Sequence, residues 1–294
     1  MSRKLATVVA STILAIAGCT VAAFAGQVST FEDRSRLVSI GGSVTEIVYA
    51  LGEEDKLVAR DSTSLYPPEA VKLPDVGYIR QLSPEGVLSV NPSGILALQG
   101  AGPREAVDVL QKASVPYIEV PDAYDHEGIL AKIRIVGAAL GVEEKAGKLA
   151  AEVDASLKAA EDQVAAIKEP KRILFILSLE GGKVLASGTD TAANGVIKMA
   201  GAVNAVDGYS GYKQISDEAI IAASPDVILM MDRGGNFAIT DDELFSQPGI
   251  LSTPAGASRK AIRMDGSYLL NFGPRTADAI RDLATALYGD KAAN

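Results

Sequence analysis

GVEEKAGKLAAEVDASLKAAEDQVAAIK, residues 141–168, holds no proline and, beyond Gly147, no glycine, and Ala, Lys and Glu fill more than half of it. Those are strong helix formers. Leu149, Val153, Leu157, Val164 and Ile167 fall largely at three- and four-residue steps, so the stretch predicts one long amphipathic helix. It is expected to stop at Glu169-Pro170, because the residue before a proline is pushed out of the α region. On both sides the pattern is α/β. Residues 36–140 alternate strand-like runs (36–40, 95–99, 115–120) with helical ones, as parallel strands joined by helices would. After Lys171, RILFILSL reads as a strand covered on both faces. The expected fold class is therefore α/β. An N-terminal lobe at 36–140 and a C-terminal lobe at 170–290 are joined by one long interlobe helix at 141–169.

The two flanks echo each other. SPEGVLSVNP (83–92) precedes the apolar run 95–98, and SDEAIIAASP (216–225) precedes the apolar run 227–230. Ser, Glu and Pro match at a constant offset of 133 (216 − 83). Each copy predicts a short helix with Ser as N-cap and Glu in its first turn, closed before a proline and followed by a buried strand. A looser echo pairs TEIVYALG (45–52) with NGVIKMAG (194–201), each a helix ended by glycine. The lobes thus read as two versions of one unit, with a cleft between them, the usual place for a small ligand.

Residues 1–25 carry Arg3 and Lys4 and then a nearly unbroken apolar and small run, the form of a secretory signal peptide. Ala23-Phe24-Ala25 suits the ordinary signal peptidase and is favoured. Ile16-Ala17-Gly18-Cys19 resembles a lipobox, with Cys19 as the lipid anchor, and stays open as the alternative. The expected location is the periplasm. Without residues 1–25, 26 bases face 37 acids, a charge of −11, which argues against a nucleic-acid partner. Cys19 is the one cysteine among 294 residues, so the exported chain would be stabilised by packing and not by disulfides.

Few chemistries suit the cleft. A zinc or manganese site needs several His or Cys beside carboxylates; His126 is the single histidine and reads as a solvated residue of the polar loop 122–128. An exported hydrolase would lack a Gly-x-Ser-x-Gly elbow and would have to recruit His126. Gly41-Gly42-Ser43 lacks the spacing of a nucleotide loop and reads as a tight turn with Ser43 capping a helix. There remains Tyr78-Ile79-Arg80, after Gly77 and ahead of the Ser83 helix. A phenolate suits ferric iron, and tyrosine is a known axial ligand of haem. The obstacle is a phenol pKa of about 10; the charge of the metal and a guanidinium within reach both favour the phenolate. On the residues alone, a packed ring beside a solvated Arg80 is an equal reading.

RLVSIGGSVTEIVYALG (36–52), LVARDSTS (57–64), Tyr66-Pro67, LPDVGYIR (73–80), LSPEGVLS (82–89) and GTDTAAN (188–194) together resemble the periplasmic haem-binding proteins of bacterial haemin ABC importers. The likeness runs over about residues 36–288. Val76-Gly77-Tyr78 with Arg80 is particular to the haem branch. The two-lobe plan is shared with carriers of cobalamin and ferric siderophores, the alternative ligands. The resemblance implies a carrier without catalytic residues, serving iron acquisition by binding ferric haem b as transported ligand. It implies Tyr78 as axial ligand and Arg80 as its partner. It also implies Glu85 and Glu218, one per lobe, meeting arginines of the ABC permease, which works with its ATPase subunits. Haem would arrive from an outer-membrane receptor, and the protein would act as a monomer. Some relatives place a histidine of the second lobe over haem, but residues 177–183 here hold none, so a single five-coordinate haem is expected. From the second lobe, Tyr209 and Tyr212 offer rings to a porphyrin face and Arg233 a partner for a propionate; ordinary loop surface is the alternative for all three.

Overall fold

The computed structural model describes residues 30–232 and 239–289; the expected signal peptide with Cys19, and Arg233, lie outside them. The first lobe runs β1 (Leu37–Ile40), α1 (Gly42–Ala50), β2 (Leu57–Arg60), α2 (Pro84–Leu88), β3 (Gly94–Leu98), α3 (Arg104–Lys112) and β4 (Tyr117–Val120). Its four strands are all parallel, in the order β2-β1-β3-β4. All four residues of β1 are buried, as expected of a strand with helices on both faces.

Two helices carry the chain across. α4 (His126–Leu140) ends at Gly141 in the left-handed conformation, and α5 (Glu143–Ala165) follows at once. Ala146, Ala150, Val153, Leu157, Ala160 and Val164 are the buried stripe of α5, which packs on α4 and on the C-terminal helix. α5 stops at Ala165, short of Glu169. There Ile167 turns inward to join Val164, Ala284 and Tyr288, and that apolar contact redirects the chain before Pro170 can.

The second lobe contains β5 (Arg172–Glu180), β6 (Lys183–Ser187), α6 (Ala192–Met199), β7 (Val203–Asn204), β8 (Tyr212–Ile215), α7 (Asp217–Ala223) and β9 (Val227–Asp232). It continues through α8 (Asp241–Phe245), α9 (Pro248–Leu251), α10 (Pro254–Ser258), β10 (Ala261–Asp265), α11 (Gly266–Leu270) and α12 (Thr276–Tyr288). β7, β9 and β10 give the parallel order β7-β5-β9-β10, which repeats β2-β1-β3-β4. The echo in the sequence is thus an echo in topology. The second lobe also carries an inserted hairpin. Gly181 and Gly182, at φ 56° and 75°, turn β5 back into antiparallel β6, to which β8 adds antiparallel.

One apolar cluster passes from β1 and α1 through α4 and α5 into β5, β9 and α12. Smaller clusters lie on the other faces of the two sheets. Because a single close-packed core spans both lobes, opening them widely would expose it, and relative motion is restricted to small adjustments.

Candidate functional site

In the first lobe, the parallel strands deliver their carboxyl ends to one edge, where ligands of such sheets bind. Buried Asp61, just past β2, organises that edge: its carboxylate accepts from Gly41 N (2.8 Å), Ser64 Oγ (2.7 Å), Thr63 Oγ1 (2.6 Å) and Thr63 N (3.0 Å). Residues 77–82 are stitched onto it. Ser62 N donates to Gly77 O (2.9 Å), Gly102 N to Ile79 O (2.8 Å), Leu82 N to Gly102 O (2.7 Å) and Gln81 N to Tyr78 O (2.8 Å). Gly77 takes φ 106°, which a side chain would resist. Ile79 packs inward beside Val76 and Leu82, and its neighbours Tyr78 and Arg80 are left exposed.

Tyr78 is 44% exposed, and neither its hydroxyl nor the Arg80 guanidinium has a hydrogen-bond partner among the described residues. The charge of Arg80 acts on two phenols from different parts of the chain, Tyr124 ahead of α4 and Tyr212 at the start of β8. Burial and nearby Asp122 push Tyr124 up to about 12, against the pull of Arg80. Burial raises Tyr212 too, opposed by Thr191, the Ala193 amide and Arg80. Both phenols are thus neutral, with Tyr124 edge-on to Phe272 at 5.4 Å and Tyr212 tilted on Phe175 at 6.3 Å. The site thus sets an exposed phenol and a cation near two half-buried aromatic rings. Among the described residues no group of three or more His, Cys, Asp or Glu could hold a metal ion.

A family model described as "Periplasmic binding protein" matches residues 37–268. The chain belongs to that family. The periplasmic heme-binding protein RhuT from Roseiflexus sp. RS-1, in apo form, is 39% identical with a TM-score of 0.83, covering 88% of this chain and all 100% of that one. The periplasmic heme-binding protein BhuT, in complex with two hemes, is 38% identical with a TM-score of 0.82, covering 87% and 98%. An uncharacterized ABC transporter substrate-binding lipoprotein of Bacillus subtilis, YvrC, is 27% identical over 90% of this chain and 83% of its own length. Like others of its family, this periplasmic binding protein is a substrate-binding component of an ABC transporter.

The expected site residues of this binding protein divide. Arg80, two residues from Tyr78, lies near enough to Tyr212 for its charge to act on that phenol, but Tyr209 faces elsewhere. β8 alternates its side chains: Tyr212 faces the core that spans the lobes, while Lys213 lies over the Tyr209 ring at 5.2 Å, and the Tyr209 hydroxyl donates to Ala186 O (3.0 Å). Tyr209 instead walls a recess of about 600 Å³ with Arg172, Lys213 and the α7 face. Glu85 and Glu218 are exposed in the first turns of α2 and α7, each behind a serine N-cap: Ser83 Oγ accepts from Gly86 N and Ser216 Oγ from Ala219 N, both at 3.3 Å. A hydrogen bond from Ser216 holds the Glu218 carboxyl below its usual range.

Two local expectations are corrected. His126 is no solvated loop residue; it opens α4 and bonds α5 through Asp154 (Nε2, 2.9 Å) and Glu161 (Nδ1, 3.1 Å). Partial burial opposes protonation of His126, yet the Glu161 and Asp154 carboxylates prevail and raise its pKa. Ser43 does not cap α1. The helix starts at Gly42 behind Gly41, and Ser43 Oγ is buried without a partner among the described residues. Gly42 is required because a Cβ there would sit 2.5 Å from Asn271 Nδ2 and 2.9 Å from Thr63 O, where the lobes meet.

Sequence reasoning missed the ion pair across that meeting. Glu46 of α1, 3% exposed, accepts from Arg275 N (3.1 Å) and Arg275 Nη2 (3.0 Å), and the guanidinium lies 3.4 Å from the Tyr66 ring centroid. It also missed Tyr124, whose only local signal was an aromatic in a loop between a strand and a helix.

Proposed function

We propose that this protein captures ferric haem between its lobes and delivers it to an inner-membrane ABC permease with its ATPase subunits. Tyr78 supplies the axial phenolate. Arg80 stabilises that phenolate electrostatically, and Tyr212 and Tyr124 border the porphyrin. Exposed, unpartnered Tyr78 beside Arg80, at the carboxyl ends of the parallel strands, carries this reading. The likeness to two periplasmic heme-binding proteins at 38% and 39% identity supports it. Export proceeds through residues 1–25 into the periplasm, haem comes from an outer-membrane receptor, and the carrier acts as a monomer. Arg233 meets a propionate, and Glu85 and Glu218 dock on permease arginines.

The test is a ferric haemin titration of residues 26–294, followed by absorbance, beside Tyr78→Ala. Saturation at one haem per chain with a phenolate-to-iron charge-transfer band is expected. Tyr78→Ala should abolish that band and weaken binding by about 100-fold, ~2.7 kcal/mol. No specific spectrum from the unaltered protein would overturn the haem reading in favour of cobalamin or a ferric siderophore. Saturation at two would overturn the single-haem expectation alone.

A further inference from the structure

The helices that present Glu85 and Glu218 are short, five residues in α2 and seven in α7. A helix of that length does not hold itself together, so the direction of each carboxylate depends on how the helix ends are fastened. Serine caps fasten the N-terminal ends. The C-terminal ends share another device. Ser224, the left-handed cap of α7, and Asn91, three residues past the end of α2, both take φ 46°, and each precedes a proline. One arginine per lobe binds carbonyls at this exit, those of the turn after α2 in the first lobe and that of the last residue of α7 in the second.

Arg36, immediately before β1, donates from Nε to Asn91 O (3.0 Å) and from Nη2 to Val90 O (2.5 Å). Arg172, the first residue of β5, donates to Ala223 O from Nε (3.0 Å) and Nη2 (2.9 Å), and from Nη2 to Ala205 O (3.2 Å). The backbones of the two arginines are anchored alike. Arg36 N donates to Ser93 Oγ (3.1 Å) while Ser93 N donates to Arg36 O (2.7 Å). Arg172 N donates to Asp226 Oδ2 (2.9 Å) while Asp226 N donates to Arg172 O (2.8 Å). Ser93 and Asp226 stand 133 residues apart (226 − 93), the spacing of Glu85 and Glu218.

A guanidinium complements the negative end of a helix, and its rigid fork fixes direction as well as distance. The second lobe has gained a hairpin that the first lacks, yet this fastening recurs in both. A device kept on both sides of an otherwise unequal pair points to a task the two sides share, and the matched carboxylate is what each helix presents. We propose that Arg36 and Arg172 are positioning residues for docking. Each ties the chain where it leaves its helix to the first strand of its lobe, holding Glu85 and Glu218 at a constant separation for a two-fold symmetric permease. The inference rests on the docking role proposed for those glutamates.

The experiment measures affinity of haem-loaded protein for its permease–ATPase complex in lipid nanodiscs. Arg36→Ala, Arg172→Ala, the two Arg→Lys variants, Glu85→Gln and Glu218→Gln are compared, with a haemin titration and a melting curve for each. Each Arg→Ala change should weaken docking about tenfold and leave haemin affinity unchanged. The two effects should add, because the sites lie in different lobes. Lysine keeps the charge without the fork and should recover only a minor part. Docking at full affinity by the Arg→Ala variants, while the glutamine variants dock poorly, would overturn the inference and leave the docking reading standing. Full affinity in the glutamine variants would remove the docking reading, and the inference with it. Loss of haemin binding, or a large drop in melting temperature, in the arginine variants would reassign them to general stability.

Discussion

Glu46→Ala tests whether the polar contact between the lobes contributes stability. The Glu46 side chain is 4% exposed and its carboxylate accepts from both the amide and the guanidinium of Arg275. Breaking a buried pair by removing one partner costs about 3–5 kcal/mol, chiefly because the other charge is stranded. Arg275 is 22% exposed and keeps contact with the rings of Tyr66 (3.4 Å) and Tyr268 (5.4 Å), so it is only partly stranded. The cost should therefore be about 2–3 kcal/mol. For a chain of this size that corresponds to a fall in melting temperature of about 5–10 °C. Far-UV circular dichroism melts of the alanine variant and of Glu46→Gln, at low and high salt, provide the measurement. Glutamine can still accept one of the two bonds and should lose about half as much. A melting temperature within about 1 °C of the unaltered protein would refute the reasoning, since core packing alone would then join the lobes.

Two further perturbations probe the seams around α4. His126 has a raised pKa in the folded protein, so its stabilising contribution is full below the unfolded value of about 6.5 and fades as pH climbs through the folded one. His126→Leu should lower the melting temperature most at pH about 5.5 and progressively less toward pH about 9, and a gap that widens with pH would contradict the Asp154 and Glu161 contacts. Lys132 is fully buried and bonded to Asp122 at 2.6 Å. Burial lowers the pKa of Lys132 and Asp122 opposes that fall. Asp122→Ala should cost about 3–5 kcal/mol in urea unfolding, Lys132→Met on that background should restore much of it, and equal midpoints for all three proteins would show the pair to be dispensable.

The two-lobe plan was legible because its signals are local and occur twice. Ser83 and Ser216 cap their helices, Pro92 and Pro225 follow them, and the buried stripe of α5 follows the spacing read from residues 141–168. A cap, a proline and an apolar period act within a turn or two of chain, so they can be read without knowing where the rest goes. Tyr78 and Arg80 could be singled out for the same reason, two positions apart on a loop that Gly77 and Ser83 bound.

The tertiary structure alone decided which side chains meet. His126 finds Asp154 and Glu161 at separations of 28 and 35 residues, Glu46 finds Arg275 at 229, and the Tyr209 hydroxyl finds Ala186 O at 23. Each partner is chosen by the packing of whole helices and sheets, and a charged or aromatic residue looks the same in sequence whether it faces water or a partner. The sequence by itself determined two α/β units, the helix between them and the loop that offers a phenol. The structure decided how the two units close on one another, because that arrangement is fixed by contacts between residues too far apart for any local pattern to record.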